Sequence, residues 1–217
     1  MRALGYYIQK IIYWRPGGYN AYNYWDKRFR KTGFNLQSVG QGGESLDQNA
    51  EEYSRARRHF LNYCKSKGIS FRGKKILEIG CGVGFYTKIM HSLGVQDYTG
   101  LDITDAFFSD LKKLFKGYQF VKAEITSGKL DEEYDIILMI DVTQHIVNRS
   151  KFINALKTIR NHLRKNGWFI VTFHPVAKTR KTSFYEVEWS LEEYRKVFRK
   201  DFYASPIKFR KKSWSRS

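Results

Sequence analysis

The run Ile76-Leu77-Glu78-Ile79-Gly80-Cys81-Gly82-Val83-Gly84-Phe85-Tyr86 constrains the fold more than any other part of the chain. A short β-rich stretch leads directly into three glycines at alternate positions, and a helical pattern follows. A strand, a glycine turn and a helix in that order form one arm of a βαβ unit. Glycine reaches backbone conformations closed to other residues and lets a ligand approach the main chain. The spacing narrows the ligand class. A dinucleotide loop, G-x-G-x-x-G, needs glycine at position 85, where Phe85 stands. A P-loop needs Gly-Lys-Ser/Thr, which does not follow. The distinctive feature is an acid two residues before the first glycine, giving Glu-x-Gly-x-Gly-x-Gly.

From residue 74 onward, β-rich runs alternate with helical patterns. The runs are 75–79, 98–101, 119–122, 135–140 and 168–174, and the helical stretches are 85–93, 105–115 and 150–163. Strand–helix alternation predicts an α/β fold with a parallel sheet and helices on both faces. Asn166-Gly167 is expected to end the third of these helices. A basic loop after Pro175, a helix over 190–199 and an extended segment near 202–209 complete the pattern.

Ligands of open α/β sheets bind at the carboxyl ends of the strands. Acids stand at three of those ends. Glu78 can neutralise a cationic ligand group over the glycine loop. Asp102, closing Tyr98-Thr99-Gly100-Leu101-Asp102, can accept both hydroxyls of a ribose, and Ile103 offers an apolar face to a base. Glu124, after Phe120-Val121-Lys122-Ala123, can accept from an exocyclic amine.

This set resembles the class I, Rossmann-like S-adenosylmethionine-dependent methyltransferases. Tyr134 to Ile146, with its Val142-Thr143-Gln144-His145-Ile146 ending, is similar to the family's fourth motif. His162-Leu163-Arg164-Lys165-Asn166-Gly167-Trp168 is similar to the turn before the fifth strand, with Asn166 where proline is usual and Trp168 in place of the second glycine. The resemblance implies a doubly wound, mostly parallel sheet of the seven-stranded type, carried by residues 74–217. Residues 1–73 would be a helical, aromatic and basic extension serving as acceptor lid. S-adenosylmethionine would be the cofactor and S-adenosylhomocysteine its product. Gly80, Cys81, Gly82 and Gly84 would line the methionine part, and Glu78 would hold the methionine amine. Asp102 would bind ribose and Ile103 would touch adenine. Glu124 and the Ile125 backbone would read the adenine edge, although the family more often has aspartate at position 124. Asp141 and Val142 would lie near the transferred methyl.

A sulfonium is already electrophilic, so methyl transfer asks the protein for alignment and, with a hydroxyl acceptor, for removal of a proton. His145 and Asp141 are the candidate bases, with His174 behind them; a group near 6.5 is expected to govern the rate through His145. His59, His91 and His162 fall in helical patterns and are expected to be structural. No Pro-Pro-aromatic follows Asp141, no glutamate occurs in Ile170 to His174, and no cysteine follows the fourth strand. Amino-directed nucleobase, ribose 2′-hydroxyl and cysteine-dependent pyrimidine chemistries are thereby weakened. A small-molecule or glycan acceptor methylated at oxygen is the leading expectation, ahead of an RNA or protein acceptor and of a silent cofactor-binding scaffold.

Charge keeps the polymer alternatives in play. The chain has 217 residues and a formal charge of +18. Residues 1–75 hold 15 basic and 5 acidic side chains, residues 76–174 hold 12 and 11, and residues 175–217 hold 12 and 5. Basic flanks on a neutral centre suit an anionic partner, nucleic acid or a charged surface, or simply a solvated exterior. Within the first flank, Leu4, Tyr7, Ile8, Ile11 and Ile12 share one helical face. Residues 19–34 interleave aromatics with cations, a pattern that covers a substrate, stacks bases or packs inward. Two cysteines, Cys64 and Cys81, exclude a disulfide framework and a cysteine zinc site. No metal, no secretory signal and no transmembrane run is expected, and a reducing, cytoplasmic setting follows by default.

Overall fold

The structure, a computed structural model, describes residues 14–15, 18–40, 44–128, 130–174 and 176–198. Strands β1 (Trp14–Arg15) and β2 (Gly18–Tyr19) pair as a short antiparallel hairpin. Helix α1 (Ala21–Thr32) follows, its first turn capped by the Asn20 side chain accepting from the Asn23 amide. Helix α2 (Leu46–Ser66) begins with a capping box between Ser45 and Gln48.

The central sheet is then built in alternation: β3 (Ile76–Ile79), α3 (Phe85–Ser92), β4 (Tyr98–Asp102), α4 (Phe108–Leu114), β5 (Gln119–Lys122), β6 (Tyr134–Met139), α5 (Arg149–His162) and β7 (Leu163–Val171). Its order is β5-β4-β3-β6-β7, with every pairing parallel. Strand order reverses after β3, so β3 and β6 flank the switch point where such sheets leave a crevice. A second antiparallel hairpin, β8 (Arg180–Lys181) and β9 (Val187–Glu188), precedes α6 (Leu191–Phe198).

Residues of β3 and β6 alternate between two buried faces, as the period of two requires. Ile76, Ile136 and Leu138 face a core shared with Phe60, Cys64, Met90 and Leu111 from α2, α3 and α4. Leu77, Ile79, Ile137 and Met139 face one shared with Phe152, Leu156 and Ile159 from α5 and Tyr194 from α6. Helices therefore cover both sides, and burial on both faces explains why these strands read as nearly continuous apolar runs.

Five strands of the expected sheet lie among the described residues; the extended segment expected near 202–209 lies outside them, as does the apolar stripe from Leu4 to Ile12. One expectation changes. Asn166-Gly167 does not end a helix. Helix α5 stops at His162, Leu163 is already extended, and Asn166 takes a left-handed φ of 63° within the β7 run. The pairing of β7 with β6 shifts register between Tyr134 and Ile136, opposite this irregular stretch. The turn chemistry of Asn-Gly is used to re-aim strand β7, not to close a helix. No helix among the described residues is long and apolar enough to cross a membrane.

Candidate active site at the carboxyl ends of the strands

The glycine loop is laced to the end of β4 by main-chain bonds. The amides of Gly80 and Cys81 both donate to the Leu101 carbonyl, and the Gly84 amide closes back on Cys81. Gly80 and Gly82 hold left-handed φ values of 78° and 49°. A Cβ on Gly80 would lie 2.3 Å from Val142 Cγ2, and one on Gly82 2.7 Å from Val39 Cγ1. Both conformation and crowding therefore demand glycine here. Cys81 sends its side chain into the core and offers the site only its main chain.

Asp102 is nearly fully buried at the loop's edge. Its Oδ2 accepts from the Gly82 amide at 2.9 Å and its Oδ1 from the Thr104 amide at 3.1 Å. Burial raises its pKa to about 6, against the lowering effect of those amides. Each carboxylate oxygen has room for a second donor. The glycine cradle and this buried carboxylate fit S-adenosylmethionine as the cofactor. Ile103, half-buried, follows directly.

Glu78 lies beneath the loop rather than at its surface. Its Oε2 accepts from the Tyr98 hydroxyl at 2.5 Å and from Thr87 Oγ1 at 3.2 Å. Burial raises its pKa to about 8 despite those two bonds, so the carboxyl is mostly protonated at neutral pH. Native Glu78 binds more protons than the unfolded chain between its ordinary pKa and about 8. Stability is therefore lost as pH rises through that window. Glu78→Gln keeps the size without the charge, so the melting temperature of the variant minus that of the wild type is expected to increase from pH 5 to pH 9. A difference that stays flat with pH would show that burial does not shift Glu78.

Glu124 sits half-buried after β5, its Oε1 accepting from Thr126 Oγ1 and from Lys151 Nζ at 2.9 Å. Burial raises its pKa, but those two donors outweigh it and the net shift is downward. Ile125 packs its side chain into the core.

Beyond β6, Asp141 adopts φ 56°, left-handed for a non-glycine residue. Thr172, after β7, fixes it twice: the Asp141 amide donates to Thr172 Oγ1 at 2.7 Å, and that hydroxyl donates to Asp141 Oδ1 at 2.9 Å. Solvent reaches the side chain, yet the protein packed around it raises its pKa. Val142 backs the loop at Gly80, as noted above.

His145 ends a 3₁₀ turn, Thr143–His145. Its ring meets Trp25 edge-on at 4.9 Å and stacks on Tyr185 at 5.9 Å and 11°. Nδ1 lies 3.2 Å from the Tyr185 carbonyl. A carbonyl can only accept, so Nδ1 carries the proton and Nε2 keeps its lone pair. Burial lowers the pKa to about 4, and the positive charge of Arg28 adds to that effect. The expected value near 6.5 is thus displaced by the surrounding rings. His174 is exposed nearby and interacts electrostatically with Asp141.

Helix α1 lies over this mouth. Asp26 Oδ1 accepts from Thr104 Oγ1 at 3.1 Å, Phe29 stacks on Phe107 at 4.9 Å, and Lys122 sits over the Tyr22 ring at 5.0 Å. The inward-packing reading of the 19–34 segment holds for Tyr24 and Phe29, which are buried. Trp25 meets His145, and Arg28 lies over the Trp25 ring. Val39, Thr172 and Tyr185 carried no sequence signal; each joins the site through contacts across long chain separations.

A family model described as a methyltransferase domain matches residues 77–169. The ubiquinone biosynthesis O-methyltransferase of Paraburkholderia phymatum is 29% identical over 120 residues, covering 51% of this chain and 50% of that protein. Its counterpart in Stutzerimonas stutzeri is 31% identical over 97 residues, covering 42% and 41%. This chain thus spans about half the length of the curated relatives it matches. A solved S-adenosylmethionine-dependent methyltransferase from Leishmania major superposes with a TM-score of 0.64 at 15% identity, covering 82% of this chain and 71% of that one, which is a likeness of fold. Residues 77–169 thus match a methyltransferase domain and share the fold of solved S-adenosylmethionine-dependent methyltransferases.

Proposed function

We propose that the chain is an S-adenosylmethionine-dependent O-methyltransferase acting on a small molecule or glycan. The observation that carries this reading is His145: a neutral imidazole, its tautomer set by the Tyr185 carbonyl, beside the end of β6. The names of the relatives support methylation at oxygen. When bound, the cofactor supplies an electrophilic methyl on its sulfonium. Gly80, Gly82 and Gly84 with the Cys81 main chain hold the methionine part, and Glu78 supports the loop from below. Asp102 and Ile103 hold the nucleoside, with Glu124 and the Ile125 backbone at the adenine edge. Asp141 and Val142 border the reacting centre. His145 Nε2 takes the acceptor's hydroxyl proton as the oxygen–methyl bond forms. Residues 1–73 act as the acceptor lid on the domain of residues 74–217.

The test is incubation with methyl-labelled S-adenosylmethionine and hydroxylated acceptors, with the product mapped by mass spectrometry. Label at oxygen supports the reading; label at nitrogen or carbon contradicts it. A second test concerns Asp102. Charge-assisted bonds to a ribose diol make Asp102→Ala weaken cofactor binding at least about tenfold, or ~1.4 kcal/mol, by titration calorimetry. The wild-type affinity is expected to decline as pH falls through about 6, where Asp102 gains a proton and loses an acceptor. Unchanged affinity in a folded variant removes Asp102 from the site.

A further inference from the structure

Arg28 is a half-buried cation on α1 whose charge no carboxylate among the described residues answers closely. Its Nη2 donates to the carbonyls of Gln37, at 3.2 Å, and Gly40. Its guanidinium lies 5.3 Å from the centre of the Trp25 ring, which also meets His145 at 4.9 Å. No Asp or Glu among the described residues comes within ion-pair distance of it; Glu186 feels its charge only from further away. Nε and Nη1 have no acceptor among the described residues. Holding a cation partly out of water without a counter-ion is unfavourable unless something else uses it. The Trp25 ring is shared by Arg28 and His145, so the guanidinium lies one aromatic ring away from the proposed base.

We propose that Arg28 is a specificity-determining residue and that the acceptor is a small hydroxylated acid, its carboxylate or phosphate paired with the Arg28 guanidinium and its hydroxyl turned to His145. This rests on the methyltransferase reading above. The two carbonyl bonds tie Nη2 to the 36–40 segment and hold the guanidinium in place, leaving Nη1 and Nε each to donate singly to an oxyanion. A cation also matters to the base: it favours neutral His145, and it offsets the charge an acidic acceptor would bring beside Asp141.

The experiment uses the full chain saturated with S-adenosylhomocysteine, nitrogen-15 labelled, with the Arg28 Nε–Hε resonance assigned through Arg28→Lys. Benzoate and inorganic phosphate are the probes, and benzamide is the neutral control. A saturable shift of that resonance with either anion, and none with benzamide, is expected. Arg28→Gln is expected to weaken anion binding at least about tenfold, with cofactor-product affinity within about threefold of wild type. Because glutamine also removes the bonds to Gln37 and Gly40, Arg28→Lys provides a second variant, expected to retain an intermediate anion affinity. No shift up to about 10 mM of either anion, or wild-type anion affinity in Arg28→Gln, overturns the proposal. S-adenosylhomocysteine binding, measured on the same samples, separates the two failures. Its absence sinks the methyltransferase reading. Its presence without an anion response sinks only the role of Arg28.

Discussion

His145→Ala is expected to lower turnover at least about a hundredfold while cofactor affinity barely changes. General-base assistance contributes about 10²–10⁴-fold, and the ring sits at the end of β6 against Trp25 and Tyr185, away from the nucleoside side of the cleft. The pH dependence makes the assignment sharper. Nε2 must be unprotonated to accept, and burial lowers the pKa to about 4. Turnover is therefore expected to be independent of this group from pH 6 upward and to fall only as pH drops towards about 4. A limb near 6.5, the ordinary value, would mean that the rings do not enclose His145. The same shift has a stability consequence. Between about 4 and 6.5 the unfolded chain binds more protons than the native one, so stability rises with pH across that window and is lost on acidification. In the alanine variant that dependence disappears. Activity must be counted per folded molecule, because the substitution also empties the space between two aromatic rings. Near-normal turnover in the folded fraction would remove the base and leave alignment as the mechanism, or shift the role to Asp141 or His174.

Gly82→Val is expected to abolish cofactor binding, a loss of more than about a hundredfold in affinity. Valine is β-branched and avoids the left-handed region in which Gly82 lies. Its Cβ alone would meet Val39 at 2.7 Å, so the segment carrying Val39 has to shift as well. The Gly82 amide, which donates to Asp102, would move with the loop and disturb that carboxylate at the same time. The sheet beneath is held by main-chain pairing and two apolar cores and is expected to survive, as circular dichroism and the melting transition would verify. Wild-type affinity in this variant would place the ligand elsewhere.

The parts of this protein that were legible in its sequence are those set by local pattern. Strand 119–122 begins and ends as expected, and β3, β4 and β6 differ by a residue at an end or two, because strand periodicity and the following turns are short-range signals. The glycine loop and the acids at the strand ends were legible for the same reason. Other features depend on distant chain. His145 has its tautomer from Tyr185, 40 residues on, and its lowered pKa partly from rings and a charge on α1. Glu78 was legible as an acid at the loop, but not as one already engaged by Tyr98 and Thr87. Asp141 reads as an ordinary strand-end acid until Thr172, 31 residues away, is seen to brace its left-handed backbone. Asn166-Gly167 misled because its turn propensity is real but is spent inside strand β7.

The central claim is that the crevice above β3, β4 and β6 binds the methyl donor. Titration calorimetry of the full chain with S-adenosylhomocysteine tests it most directly, since the product shares every contact assigned to the cofactor except the methyl. A single saturable site with a dissociation constant of micromolar order is predicted, weakened by Asp102→Ala and absent in folded Gly82→Val. No saturable heat up to about 1 mM, or equal binding by wild type and both variants, would contradict the account.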